Sequence, residues 1–223
     1  MEGARAVRPP PHVALRESTR AAHDAAEASP LMRRMLSGAL DEAEYRALLA
    51  AQWDLLSEWE ADRSTWLAGI GAAQGWHYAS RATALAQDLE DLSHGHTHVG
   101  ARPARDSLWG SEPQDLPLSA KSCRAQGALL QTRDEPQAWG ELYVIEGSAL
   151  GGRVIVKRLR ERFPSLTHRF YAIGENTDAP WHRFQGLLDR VLAEPATLRR
   201  AVEGALRMFA RYRKTLQDHA SHV

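Results

Sequence analysis

The stretch Leu142-Tyr-Val-Ile-Glu-Gly-Ser-Ala-Leu-Gly-Gly152 places three glycines, Gly147, Gly151 and Gly152, in a segment that otherwise reads as buried helix. Each glycine gives up about 0.8–1 kcal/mol of helix propensity relative to alanine, because its backbone has the most freedom to lose. Together they cost roughly 2.5 kcal/mol, so the absent side chains need a purpose. Either another helix or a ligand comes close to the bare backbone. Gly147 and Gly151 are one turn apart and share a face. Small residues at this spacing are also an ordinary helix-packing pattern, and on this segment alone helix packing is the favoured reading.

A second segment lies near the amino end. Leu15-Arg-Glu-Ser-Thr-Arg-Ala-Ala-His-Asp-Ala-Ala-Glu27 is rich in helix formers and free of Pro and Gly, which predicts one helix. Arg16, Arg20, His23 and Glu27 then fall along one stripe, with His23 and Glu27 one turn apart. Arg16 and His23 are two turns apart, roughly 10 Å along the axis. That reach suits a porphyrin, held by an imidazole at its iron and by a cation at its edge. Glu27 is placed to accept the other imidazole N–H, the contact that fixes ring orientation in a metal-ligating histidine. A solvated polar stripe with intrahelical ion pairs is the simpler reading of this helix by itself.

Taken together, the two segments resemble the haem oxygenase family. The resemblance rests on His23 with Glu27 four residues later, a basic residue, Arg16, seven before the histidine, and the run Glu146-Gly-Ser-Ala-Leu-Gly-Gly152. Phe170-Tyr171, Trp181-His-Arg-Phe184 and Ala201-Val-Glu-Gly-Ala-Leu-Arg-Met-Phe209 extend it, so that it spans about Val13 to Leu216. The Glu146–Gly152 version is similar to bacterial members that make biliverdin for phytochrome-type photoreceptors.

Composition is compatible with this. A chain of 223 residues with 43% hydrophobic and 25% charged residues can bury one sizeable core, and is most simply one domain. Lys plus Arg balances Asp plus Glu at 28 each, so neither nucleic acid nor an anionic membrane surface is an expected partner. Met1 to His12 lacks the apolar core of a signal peptide, and no run approaches the ~18 apolar residues of a membrane span. A cytoplasmic location is expected. The single Cys123 excludes an intrachain disulfide and fits a reducing compartment.

Helical periodicity prevails along the chain, and the expected fold is all-α: a single-domain, haem-oxygenase-like bundle at residues 13–220 behind a stiff leader at 1–12. Ser29-Pro30 starts a short helix that Gly38 ends, and Asp41-Glu-Ala-Glu44 is a capping box opening a helix through Leu67. Trp53, Leu56, Trp59 and Leu67 are expected on or near its inner face. Further helices are predicted over Tyr78–Leu92, from Asp134-Glu-Pro136 to Arg162, from Asp178-Ala-Pro180, and from Glu194-Pro195. The Pro- and Gly-bearing middle, Gly100 to Ser119, reads as loop.

The other candidates have plain readings. His94, His96 and His98 sit in a polar, Gly-flanked loop where incidental zinc or nickel affinity outweighs a designed site. His77, His168, His182 and His219 read as surface residues. Cys123 lacks an activating motif and reads as structural rather than as a thiaminase-type nucleophile.

What the resemblance implies is more specific. Haem b would be both cofactor and substrate, lying between the first, proximal helix and the glycine-bearing distal helix. His23 would bind the iron and Glu27 would orient it. Gly147, Ser148 and Gly151 would form the catalytic distal face, where bare backbone admits dioxygen, with Gly152 beside them. Arg16 would meet a propionate, with Arg183 as the best second cation and Tyr143 or Arg20 as weaker choices; Leu31, Met32 and Phe209 would line the ring. The implied reaction is O2- and electron-dependent cleavage at a meso carbon to biliverdin, carbon monoxide and ferrous iron. An external ferredoxin- or flavoprotein-type reductase would supply the electrons, and a phytochrome would accept the bilin. The chain departs from animal-type members at Ser148, where they carry aspartate, and at Leu142, where several relatives carry tyrosine. A haem carrier or sensor without turnover, and a helical interaction domain without cofactor, are the rival expectations.

Overall fold

The computed structural model describes residues 8–93 and 120–220; the side chains of 120–133 and of 220 lie outside that description, as do His94, His96 and His98 and the side chain of Cys123. Eight helices are found among the described residues: α1 (Pro11–Glu27), α2 (Pro30–Ser37), α3 (Glu42–Gln74), α4 (Arg81–Ser93), α5 (Ala120–Arg162), α6 (Arg169–Ala172), α7 (Ala179–Val191) and α8 (Pro195–Ala220).

Several boundaries follow local chemistry. Asp41 accepts the Glu44 backbone N–H at 2.8 Å while the Glu44 carboxylate accepts that of Asp41 at 2.9 Å, which completes the expected box at the start of α3. Gly38 ends α2 in the left-handed region at φ 73°, as a glycine C-cap does. Other boundaries differ from the sequence reading. α1 begins at Pro11, not residue 13, because the Asp189 carboxylate of α7 accepts the His12 backbone N–H at 3.0 Å and pairs with its ring Nδ1 at 2.8 Å. α3 runs past Leu67 to Gln74 and stops at Gly75, φ 66°. α4 starts at Arg81, not Tyr78: Glu60 of α3 accepts the backbone N–H groups of Arg81 at 2.7 Å and Ala82 at 3.0 Å, acting as a cap from a distant part of the chain. Pro136 does not open the distal helix; α5 continues through it from Ala120.

The core is continuous through the bundle, with Trp59, Trp139, Tyr45, Phe184, Leu142 and Leu188 among its fully buried side chains. Trp53 does not join it and is 39% exposed, because its position in α3 falls outside the stripe of Gln52, Leu55, Leu56 and Trp59. The decisive packing event is the crossing of α5 and α8. A Cβ on Gly140 would lie 1.8 Å from the Ala201 carbonyl oxygen, and one on Gly204 would lie 2.2 Å from that of Gln137. Backbone therefore meets backbone, and this fixes α5 on α8. α1 packs on the same α8, so α1 and α5 share a support while touching each other only slightly.

His168 is not at the surface. It is buried with a left-handed φ of 53°, its Nε2 donates to the Phe163 carbonyl at 3.0 Å, and its Nδ1 accepts from the Tyr45 hydroxyl at 2.8 Å. Glu141 is another buried polar residue on α5: Trp59 Nε1 donates to it at 2.9 Å and Arg63 Nε at 3.0 Å, which ties α5 to α3.

Candidate functional site

α1 presents a polar, accessible stripe. The His23 side chain is 54% exposed, with Nε2 3.7 Å from Glu27 and Nδ1 3.6 Å from Asp24. Both separations exceed a hydrogen bond, so the imidazole has carboxylates within reach on either edge without being locked to one. Among the described residues its ring neighbour is Phe209 of α8, edge-on with centroids 6.0 Å apart. Arg16 and Arg20 are exposed on the same helix.

On α5, Tyr143 approaches α1. Its phenol lies near Thr19 of α1 and feels the Arg16 guanidinium. Burial nevertheless raises the Tyr143 pKa above the ordinary phenol value, with Thr19 and Arg16 pulling it down.

The three glycines have three different surroundings. Gly152 faces α6: a Cβ there would sit 2.7 Å from the Tyr171 carbonyl oxygen, so helix packing accounts for it and it leaves the expected ligand face. Gly147 faces the Trp181 ring of α7, 3.4 Å from an added Cβ. Gly151 has nothing within 4 Å. Packing thus explains Gly152, partly explains Gly147 and leaves Gly151 without a structural reason.

Large apolar side chains are exposed on both α5 and α8. Val154 is 57% exposed and Leu150 39% exposed on α5, and Leu206, one turn before Phe209 on α8, is 39% exposed. Sequence reasoning did not single these out, although Leu150 and Val154 flank Gly151 at helical spacing. Leu31, Met32 and Phe209, all expected along the ring, are all buried, and the Tyr212 hydroxyl donates to Met32 Sδ at 3.1 Å. The exposed Ser148 spends its hydroxyl proton on the Ile145 carbonyl at 2.7 Å. Arg183 is exposed on the first turns of α7 and borders, with Trp76, His77, Glu146, Leu150 and Trp181, a cavity of about 370 Å³.

These residues fit a large, flat, mainly apolar ligand that carries its own metal. The described residues offer no group of three or more His, Cys, Asp or Glu able to cage a bare ion. They do offer an accessible imidazole, His23, an open position at Gly151 and exposed arginines. No helix among the described residues is long and apolar enough to cross a membrane.

Comparison with known proteins gives a consistent result. The family model described as heme oxygenase matches residues 12–218. A heme oxygenase of Xanthomonas campestris pv. campestris (strain 8004) is 33% identical over 192 residues, covering 85% of this chain and 99% of that protein. Among solved structures, heme oxygenase from Leptospira interrogans superposes with a TM-score of 0.64 at 17% identity, covering 94% of this chain and 100% of the other. Heme oxygenase-1 from the cyanobacterium Synechocystis sp. PCC6803, in complex with heme, gives 0.62 at 16% identity, covering 96% and 94%. The match over nearly the whole chain, on an all-α fold, makes the protein a member of the haem oxygenase family, an enzyme that degrades haem.

Proposed function

We propose that the chain binds haem b between α1 and α5, with His23 on the iron, and opens it at a meso carbon to biliverdin, carbon monoxide and ferrous iron. The observation that carries this reading is Gly151: of the three glycines in the distal run, it alone has empty space where a side chain would be. The Synechocystis relative was solved with heme, which supports the same ligand here.

Each residue has a task in this reading. Bound haem supplies the oxygen activation, at the cost of electrons from an external ferredoxin- or flavoprotein-type reductase. His23 holds the iron through a neutral imidazole, and Glu27 accepts the remaining ring N–H, which fixes tautomer and azimuth. Gly147 and Gly151 keep the distal backbone close to the ring and leave room over it. Ser148 keeps a hydroxyl at the same turn, available to order water there. Arg16 and Arg183 hold propionates by planar, two-pronged contacts that suit carboxylates. Phe209, Leu150, Val154 and Leu206 exclude water from the ring faces. The bilin passes to a phytochrome-type acceptor.

The test is reconstitution. Wild-type protein titrated with hemin should develop a Soret band at one equivalent, and a reductase system in air should convert it to biliverdin, identified by chromatography. A stable Soret band that survives reductant without bilin would turn the reading into that of a haem carrier. No Soret band would remove haem from it.

A further inference from the structure

Glu146 immediately precedes the first glycine of the distal face, and the reaction outlined above gives it no task. Its carboxylate is held firmly. Arg81 donates a guanidinium N–H to Oε2 at 2.8 Å, and Trp76 donates its indole N–H to Oε1 at 3.3 Å. The two charged side chains are only 5% and 11% exposed, so water screens the pair little. Burial raises the Glu146 pKa, against the opposing pull of Arg81 and Trp76. Either member alone would be a poorly compensated charge in the protein interior.

The pair is braced from elsewhere in the fold. Glu60 of α3 accepts the Tyr78 hydroxyl at 2.8 Å and the Ser80 hydroxyl at 2.6 Å besides the first N–H groups of α4, and so fixes the turn from which Arg81 reaches out. Trp76 is 4.8 Å from the Phe184 ring and Phe184 is 6.0 Å from Trp181, centroid to centroid. Trp181 is the side chain lying over Gly147. Glu146 is therefore joined to the distal face twice, by the peptide bond to Gly147 and through three packed aromatic rings. The other titratable groups on the cavity beside it are His77 and Arg183.

We infer that Glu146 is a positioning residue for the distal face: paired with Arg81, it sets the turn that carries Gly147 and the Trp181 ring over it, and it cancels the charge that Arg81 would otherwise direct there. The inference rests on the haem reading above. It carries an electrical sign that a brace without charge would lack. With the Glu146 charge removed, Arg81 favours an anion on the distal side. With Arg81 removed, whatever charge Glu146 retains disfavours one.

The experiment compares the full-length wild type, Glu146→Gln, Arg81→Met and the double variant, each loaded with hemin. The readouts are the pH midpoint of the alkaline transition in the ferric spectrum, azide affinity, and the near-ultraviolet circular dichroism of the haem-free proteins. All four should take up hemin. Glu146→Gln should lower the midpoint by about one pH unit and tighten azide by about tenfold, the scale of one partly screened charge. Arg81→Met should move both in the opposite direction, and the double variant should return toward wild type. Loss of tryptophan signal before hemin is added should accompany the single changes. Unchanged midpoints, or single variants that shift the same way, would overturn the inference and leave a pair that only stabilises the fold. If a single variant does not fold, the reversed pair Glu146→Arg/Arg81→Glu takes its place; it should lower the midpoint by bringing the cation next to Gly147, and an unchanged value would overturn the inference. A wild type that takes up no hemin would overturn the haem reading and this inference together, an outcome distinct from any seen in the variants alone.

Discussion

His23 is accessible, has two carboxylates just beyond hydrogen-bond range, and touches one aromatic ring, a setting in which an imidazole stays available to a ligand. If it binds the iron, His23→Ala should fold normally, show a displaced ferric Soret band and lose turnover, with added imidazole restoring part of both. An unchanged spectrum would reject the assignment. His168 shows the opposite use of the same side chain. Burial lowers its pKa below the ordinary 6.5, helped by Arg160 and opposed by the Phe163 carbonyl and Asp88. The unfolded chain therefore binds a proton that the folded chain refuses in the window below pH 6.5. The stability contribution of the neutral ring is complete above that value and is lost as pH falls toward the lowered one. His168→Asn, which tolerates the left-handed backbone, should flatten the fall of melting temperature between about pH 6.5 and 5; a slope equal to wild type would contradict this. His23, Glu27 and Arg16 were legible because a helix fixes their spacing. The burial of His168 was not, because its partner Tyr45 lies 123 residues away in the sequence.

Among the helices, α5 and α8 carry the two kinds of glycine, and these should respond oppositely to the same substitution. Ala at Gly151 meets open space and recovers about 0.8–1 kcal/mol of helix propensity, so Gly151→Ala should raise the melting temperature. Gly204 of α8 faces the Gln137 carbonyl at a distance no real Cβ occupies, so Gly204→Ala must spread the α5/α8 crossing. That overpacking should cost about 1–3 kcal/mol, or about 2–4 °C for each kcal/mol in a chain of this size. Equal melting temperatures for the two variants would show that the crossing is not as close as described. The distal run betrayed itself because its glycines lie in one short helical segment. Gly140 and Gly204 did not, since each is a single glycine in its stretch of helix and its partner is another helix. Likewise Asp41 with Glu44 marked the start of α3 from neighbouring residues alone, whereas the start of α4 depends on Glu60 arriving from α3. Pro136 misled in the other direction: proline favours a first turn, yet the helix runs on through it and forgoes one backbone bond.

For the molecule as a whole, α8 is the common support on which α1 and α5 both pack, and the proposed haem site is the space between those two helices. A ligand that fills this space binds only the folded chain, so hemin at 100 times its dissociation constant should add about 2.7 kcal/mol of stability. A concentration-dependent rise in melting temperature, absent in His23→Ala at the same hemin concentration, would check it. The all-α class and the order of helices were readable from periodicity and proline punctuation; the space between two of them arises only from how the third carries both. The central claim is that the open position at Gly151 exists for the chemistry on the haem and not for the fold. The most direct measurement is biliverdin formed per bound haem by Gly151→Leu, driven by the same reductase as the wild type and followed beside the Soret band. The account predicts a folded, haem-loaded variant whose biliverdin yield falls to background; a wild-type yield from that protein would contradict it.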